Sequence, residues 1–170
     1  MRRRERDRIA AALEEAAPDL LRFLLRRTAG ADAAADLFGE VSLVAWRRRG
    51  QAPAVDGEIR PWLFGIARNA LLNHWRASRR ALGLTEQLKA AATLEAPHRD
   101  HADDLADADL VRRLLDRLPQ GAAELLRLVH WDGLHLAEAA LVLGIPASTV
   151  RGRYAAAKQQ LRGLLEHADP

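Results

Sequence analysis

Residues 59–80 combine cationic, amide and aromatic side chains in a pattern that is typical of nucleic-acid binding. The stretch contains five arginines and no acidic residue. At 100° per residue, one side of a helix collects the apolar residues Leu63, Ile66, Ala67, Ala70, Leu71 and Ala77. The opposite side carries Arg68, Asn69, Leu72, Trp75, Arg76, Arg79 and Arg80. Because bases stack on aromatic rings while arginines contact phosphates, we predict that this helix binds single-stranded nucleic acid. Trp62 and Trp75 are the candidate stacking residues, and packing within the protein is the alternative for both.

A second candidate site lies in residues 134–165, which predict two helices joined by a tight turn. The first helix covers about 136–143 and ends at Gly144, which adopts a left-handed conformation at little cost. Pro146 suits the first turn of the next helix, and the small side chain of Ala140 lets the two helices cross closely. This spacing is typical of a DNA-binding helix-turn-helix.

The second helix of this pair has the polarity expected of a recognition helix. Its apolar face is formed by Val150, Tyr154, Ala157, Leu161, Leu164 and Leu165. Facing away are Ser148, Gly152, Ala155 and Gln159, flanked by Arg151, Arg153 and Lys158. Small and hydroxyl side chains fit into a major groove while the flanking cations contact phosphates. The alternative is an ordinary amphipathic helix with a solvated basic face.

Composition limits the classes of protein that remain. The 170 residues include no cysteine, which excludes disulfides, thiol chemistry and cysteine-ligated zinc. We expect neither a signal peptide nor a membrane span, because no long uncharged apolar run is present. The net charge is +3, distributed as +6 over residues 1–81, −3 over 82–117 and zero over 118–170. Such unevenness indicates two sites for anionic ligands separated by a connector.

The remaining elements at the front of the chain are also predicted to be helical, since β-branched residues never alternate with polar ones over a strand length. Two helices are expected at 3–16 and 18–29, with Pro18 in a first turn and Gly30 as the end. Asp32 is the predicted cap of the next helix.

That next helix extends to about Arg48, with an apolar stripe formed by Leu37, Val41, Val44 and Ala45. Asp36 and Glu40 lie one turn apart on another face, and a solvated surface is the simplest interpretation of this pair. Two glycines and a proline predict a loop over 50–57.

A linker is predicted at 82–106, which separates a front domain at 1–81 from a rear domain at 107–170. His98 and His101 lie among acidic residues there, but their spacing is weak support for a metal site, and solvent exposure is favoured. In the rear domain, Leu110, Leu114, Leu115 and Leu118 define a helix that stops at Pro119, and another helix covers 120–130. No catalytic constellation, cofactor motif or small-molecule site is recognisable, so we expect no enzymatic activity.

Taken together, three segments resemble the extracytoplasmic-function (ECF) sigma factors, the smallest promoter-specificity subunits of bacterial RNA polymerase. In order, these are DAAADLFGEVSLVAW, RPWLFGIARNALLNHWRASRR and LPQGAAELLRLVHWDGLHLAEAALVLGIPASTVRGR. The resemblance covers nearly the whole chain. It implies an all-α fold of two small domains, namely sigma region 2 and the helix-turn-helix of sigma region 4.

The resemblance also implies partners and residue roles. Contacts to core RNA polymerase are implied for Asp36, Leu37 and Glu40. Recognition and melting of the minus-10 promoter element are implied for Trp62, Arg68, Asn69, Arg76, Arg79 and Arg80, and the loop from Gly50 to Arg60 corresponds to the segment that captures a flipped base. Minus-35 contacts are implied for Ser148, Thr149, Arg151 and Arg153, and Lys158 adds charge on the same helix. An anti-sigma factor, a cytoplasmic location and no cofactor or metal are expected.

The chain departs from the family pattern at four positions. Gly39 replaces a glutamine in the polymerase-binding helix, and His135 replaces the serine that caps the helix-turn-helix and pairs with Glu138. Gly152 and Ala156 stand where serine and arginine are frequent. Two other classes of protein remain open: a conventional helix-turn-helix regulator that acts without polymerase, and a sigma-like adaptor that only binds a protein.

Overall fold

The structure, a computed structural model, describes residues 2–88 and 105–167. Within these ranges the chain is helical and contains no strand, which confirms the predicted all-α class. It divides into two compact units, residues 1–99 and 100–170. Most of the predicted linker, including His98 and His101, lies outside the described residues.

The first unit is built from α1 (Arg2–Leu25), α2 (Ala31–Arg47) and α3 (Ile59–Leu88), each of which packs against the other two. Phe23 and Phe64 meet edge to face in its core, with ring centroids 5.3 Å apart and planes at 71°. The other large side chains at the centre are Ile9, Leu20, Leu24, Val41, Leu63 and Leu71. Burying each of these stabilises the unit by about 1.5–3 kcal/mol.

Helix α1 is continuous, although two helices were predicted. Pro18 lies inside it and is exposed, while Ala16 and Leu20 on either side are buried. Packing of these buried neighbours offsets the hydrogen bond that a proline removes from a helix. The predicted end was also wrong, because α1 stops at Leu25 and Gly30 instead occupies the N-cap position of α2.

The start and surface of the next two helices need three smaller corrections. Asp32 lies in the first turn of α2 and is not its cap, but its carboxylate still lies near the positive end of the helix dipole. Val44, predicted in the apolar stripe, is only half-buried, whereas Leu37, Val41 and Ala45 are buried. Ala77 is exposed, as is every side chain from residue 76 to residue 81 of α3.

The second unit contains α4 (Leu105–Asp116), α5 (Gln120–His130), α6 (Leu136–Leu143) and α7 (Ala147–Glu166). Helix α7 packs against each of the other three. The core consists of Leu114, Leu115, Leu118, Leu125, Leu126, Leu128, Leu134, Val142, Val150 and Ala157. Leu110 is half-buried at its edge.

The turn between α6 and α7 has the predicted geometry. Gly144 adopts φ 66° and ψ 33°, the left-handed conformation that closes a helix. The Ile145 N–H donates to the Ala140 carbonyl oxygen at 3.2 Å, and the Gly144 N–H donates to the Leu141 carbonyl oxygen at 3.3 Å. Ala140 is buried at this crossing, as its small side chain predicts. Pro146 precedes α7 as its N-cap residue.

Candidate nucleic-acid interface

Helix α3 presents a cationic surface to solvent, which we name the α3 outer face: Arg68, Asn69, Leu72, Arg76, Arg79 and Arg80. Asn69 and the last three arginines are exposed, whereas Arg68 and Leu72 are half-buried. The Arg76 guanidinium donates to the Asn73 side-chain oxygen at 3.0 Å, so these two residues form a pair along the helix. Since Ala67, Ala70 and Leu71 are buried on the opposite side, packing of the unit fixes which side faces outward.

The two tryptophans of α3 have different environments. Trp75 is half-buried, and its indole Nε1 donates to the Arg27 carbonyl oxygen at 3.3 Å. That carbonyl follows the end of α1, where helical partners are missing. Trp75 therefore ties α1 to α3, which favours the packing interpretation for this ring. Trp62 is half-buried near the start of α3.

Helix α2 presents an acidic surface, the α2 outer face, formed by Asp36, Gly39, Glu40 and Leu43. All four residues are exposed, and Leu43 retains 57% of its surface. Leu37, in contrast, is 4% exposed. Its side chain packs in the core, so Leu43 and not Leu37 is the apolar side chain exposed beside Asp36 and Glu40, and a polymerase contact at Leu37 stays a prediction. Sequence reasoning missed Leu43, although it lies seven residues after Asp36 and therefore on the same side of the helix.

A loop between α2 and α3 includes two single turns of 3-10 helix, Arg49–Gln51 and Asp56–Glu58. Val55 is its most exposed large apolar side chain, at 60%. The Arg8 guanidinium of α1 contacts this loop twice, through an ion pair of Nε with Asp56 Oδ1 at 2.6 Å and a hydrogen bond from Nη2 to the Pro53 carbonyl oxygen. Sequence reasoning missed Arg8, because residues 48 positions apart leave no periodic signal.

The start of α3 is held to α1 by a second ion pair. The Arg60 guanidinium donates to Asp19 Oδ2 at 3.0 Å, and Arg22 contacts the other carboxylate oxygen. Hydrogen bonds from Arg22 and then from Arg60 hold the pKa of Asp19 below its ordinary value. The carboxylate therefore stays ionised, which keeps both ion pairs intact.

Helix α7 carries the second cationic surface, the α7 outer face. Its exposed members are Ser148, Arg151, Gly152, Arg153, Ala155, Lys158 and Gln159, while Thr149 is half-buried. Val150 and Ala157 are buried on the other side. Leu165, predicted on the apolar side, is 41% exposed, whereas Leu164 beside it packs against the core.

Two contacts support the position of α7 and of its partner helix. The Tyr154 hydroxyl lies 2.9 Å from His130 Nε2, and the two rings stack, which connects α7 to the end of α5. At the start of α6, the His135 N–H donates to Glu138 Oε2 at 2.7 Å. Glu138 thus satisfies a backbone donor that a helix start leaves without a partner.

The described residues contain no cluster of histidines or acids that could hold a metal ion. None of the described helices combines the length and the apolar character that a bilayer crossing requires.

These features define a class: an all-helical protein that presents basic helix faces in two separate units, the second unit being a helix-turn-helix. Two protein families match the chain in the corresponding places. Sigma-70 region 2 matches residues 13–81, and Sigma-70 region 4 matches residues 108–161.

Individual proteins agree with the family matches. The ECF RNA polymerase sigma factor SigL of Mycobacterium tuberculosis is 32% identical over 162 residues, which cover 92% of this chain and 88% of SigL. The chain belongs to the family of ECF RNA polymerase sigma factors, as its sequence motifs predict.

Solved structures share the fold. The sigma factor RpoE, in complex with the anti-sigma factor NepR from Bartonella quintana, matches with a TM-score of 0.63 and 24% identity, over 92% of this chain and 97% of the matched chain. CnrH, in complex with the cytosolic domain of CnrY, matches with a TM-score of 0.60 and 20% identity, over 97% and 99% of the two chains.

Proposed function

We propose that this chain binds core RNA polymerase and directs it to specific promoters. The α2, α3 and α7 outer faces would contact the polymerase core, the minus-10 element and the minus-35 element, respectively. The observation that carries the proposal is the α3 outer face, a row of exposed arginines beside an exposed asparagine, with no acidic residue between Ile59 and Arg80. The first unit corresponds to region 2 at about 1–81, and the second to region 4 at about 107–170, with 82–106 as the connector. The chain performs no chemistry of its own and needs no cofactor, because the polymerase catalyses synthesis.

The α3 outer face is proposed to receive the separated non-template strand of the minus-10 element. Asn69 is exposed and offers both a donor and an acceptor to a base edge. Arg68, Arg76, Arg79 and Arg80 contact the phosphates, which gives an affinity that falls with salt. Trp62 is the candidate for stacking, because Trp75 already bonds to α1.

The α2 outer face is proposed to bind the polymerase core. Asp36 and Glu40 supply negative charge, which steers association with a basic surface. Leu43 is exposed, whereas Leu37 is buried, so Leu43 supplies the apolar contact. Binding removes apolar surface of Leu43 from water, which is favourable.

The α7 outer face is proposed to lie in the major groove of the minus-35 element. Ser148 and Thr149 stand at the start of the helix, where recognition helices contact bases. Arg151, Arg153 and Lys158 are exposed and contact phosphates on either side.

An anti-sigma factor is proposed as an inhibitory partner of this chain. The RpoE structure of similar fold, which contains the anti-sigma factor NepR, supports this. The work would take place in the cytoplasm, where promoter DNA and polymerase are.

The test is transcription in vitro with bacterial core RNA polymerase and DNA fragments selected with the wild-type chain. Asn69→Ala removes the proposed base contact, and we expect promoter opening to fall roughly two- to tenfold, the worth of one net hydrogen bond. Binding to core polymerase should be unchanged. The double variant Asp36→Asn with Glu40→Gln should instead weaken binding to core polymerase.

Glu14→Gln is the matched control for the acidic pair, because it removes an exposed carboxylate from α1 and leaves α2 intact. Loss of core binding in Asn69→Ala would contradict the assignment of α3. Specific binding to duplex DNA without polymerase would favour a conventional regulator. Core binding without promoter-directed initiation would favour the adaptor.

A further inference from the structure

The loop at residues 50–58 has no core of its own. None of its side chains is buried, including Val55 at its exposed tip. A loop without buried apolar contacts depends on polar contacts for a defined conformation. The strongest of these contacts come from the helix α1, which is far away in sequence.

Arg8 contacts the middle of this loop. Its side chain is 30% exposed, and it bonds to two acceptors at once: the carboxylate of Asp56, on one side of Val55, and the carbonyl oxygen of Pro53, on the other side. A planar guanidinium reaches two acceptors with little further loss of freedom, whereas an ammonium acts as a point charge. Arg8 therefore contacts the loop on both sides of its most exposed large apolar residue, Val55. The next residue, Ile9, is 1% exposed and anchors this part of α1 in the core.

The two ends of the loop are also held by α1. Before the loop, the Arg6 guanidinium carbon lies 5.3 Å from the centroid of the Trp46 ring. After it, Asp19 holds Arg60 at 3.0 Å. Helix α1 therefore contacts the middle of the loop and the two helices that flank it, which constrains the path of the loop.

We propose that Arg8 is a positioning residue for promoter recognition: it holds residues 50–58 in the conformation that receives an unpaired base, without contacting DNA itself. This inference rests on the proposed function, in which the α3 outer face reads the minus-10 strand, and on the family resemblance, which implies that the loop from Gly50 to Arg60 captures a flipped base. Helix α1 thereby contributes to base selectivity. A loop that is ordered before binding does not spend binding energy on its own ordering.

The test compares Arg8→Ala, Arg8→Lys and Arg26→Ala in the full chain. Arg26→Ala is the matched control, since it removes an exposed arginine that directly follows the same helix. Hydrogen exchange by mass spectrometry reports the order of the loop in the free protein. Selection of promoters from a library randomised at the minus-10 element, with core polymerase, reports base preference.

For Arg8→Ala we expect amide exchange in 50–58 to rise roughly two- to tenfold, as the loss of one or two net hydrogen bonds implies. The ratio between the best and the next-best base should fall by a similar factor, while core binding and the exchange of α2 and α3 stay as in the wild type. Arg8→Lys should change both the amide exchange and the base preference less than Arg8→Ala does. Arg8 and Asp56 form one ion pair, so their effects should not add. The double variant Arg8→Ala with Asp56→Ala should therefore exchange about as fast in 50–58 as Arg8→Ala alone.

Unchanged exchange in Arg8→Ala, or faster exchange with an unaltered base preference, would overturn the inference while the proposed function stands. A wild-type chain that selects no promoter with core polymerase would overturn both. Equal effects of Arg26→Ala would assign the result to a general loss of positive charge from this part of the unit, which also counts against Arg8 as a positioning residue.

Discussion

Gly39→Ala is expected to stabilise the first unit. Gly39 lies inside α2, its backbone is helical, and a Cβ added there would have no heavy atom within 4 Å. A methyl group therefore meets no clash, and the only substantial change is in helix propensity. Alanine is favoured over glycine by about 0.8–1 kcal/mol inside a helix. For a unit of this size, such a gain raises the midpoint of thermal unfolding by roughly 4–8 °C.

The measurement is thermal unfolding followed by circular dichroism, with hydrogen exchange to locate the change in α2. Gly144→Ala is the matched control, because the same change at φ 66° forces a side chain into the left-handed region and should destabilise the second unit by about 1–2 kcal/mol. An unchanged or lower midpoint for Gly39→Ala would refute the reasoning, since the position would then need glycine for a reason inside the fold. Opposite shifts in the two variants support it.

Two further variants test contacts that hold the first unit together. Asp19→Asn should lower stability at neutral pH; because folding lowers the Asp19 pKa through Arg22 and then Arg60, the carboxylate stabilises the fold above its ordinary pKa. That contribution is lost as the pH falls through the lowered folded value, so unfolding curves of variant and wild type should converge in strong acid, and a gap that persists there would contradict the assignment. Trp75→Phe should cost about 0.5–1.5 kcal/mol in urea unfolding by removing the donor to the Arg27 carbonyl. Lost promoter opening at full stability would instead indicate that Trp75 stacks on a base.

Features with a local signal were predictable from the sequence. Gly144 and Pro146 predicted the turn of the helix-turn-helix, since a left-handed position and a fixed φ depend on single residues. The cationic side of α3 was predictable as well, because helical periodicity separates Asn69 and Arg76 from Ala70. In both cases the signal is local: one residue type at a turn, or the periodic separation of apolar and polar residues along a helix.

Features that depend on where a packing partner stops were not predictable. Periodicity assigned Ala77 and Leu165 to apolar sides, but both are exposed, and Ala77 lies in a part of α3 where every side chain from residue 76 to residue 81 is exposed. Pro18 predicted a break that tertiary packing overrides. Leu37, in contrast, was placed in the apolar stripe of α2 by periodicity, and it is buried.

The position of Trp75 explains how α3 combines a rigid foundation with an accessible cationic surface. Up to Leu71 the helix is buried on one side, and the Trp75 indole bonds to the end of α1. From Arg76 onward every side chain through residue 81 is exposed, so Arg76, Arg79 and Arg80 keep their hydration and their full charge. A charge held in water costs nothing to present and is strongly attracted to phosphate, although salt screens it. Continuity of the helix then transmits the orientation of the packed half to the exposed half, which places the arginines on the same side as Asn69.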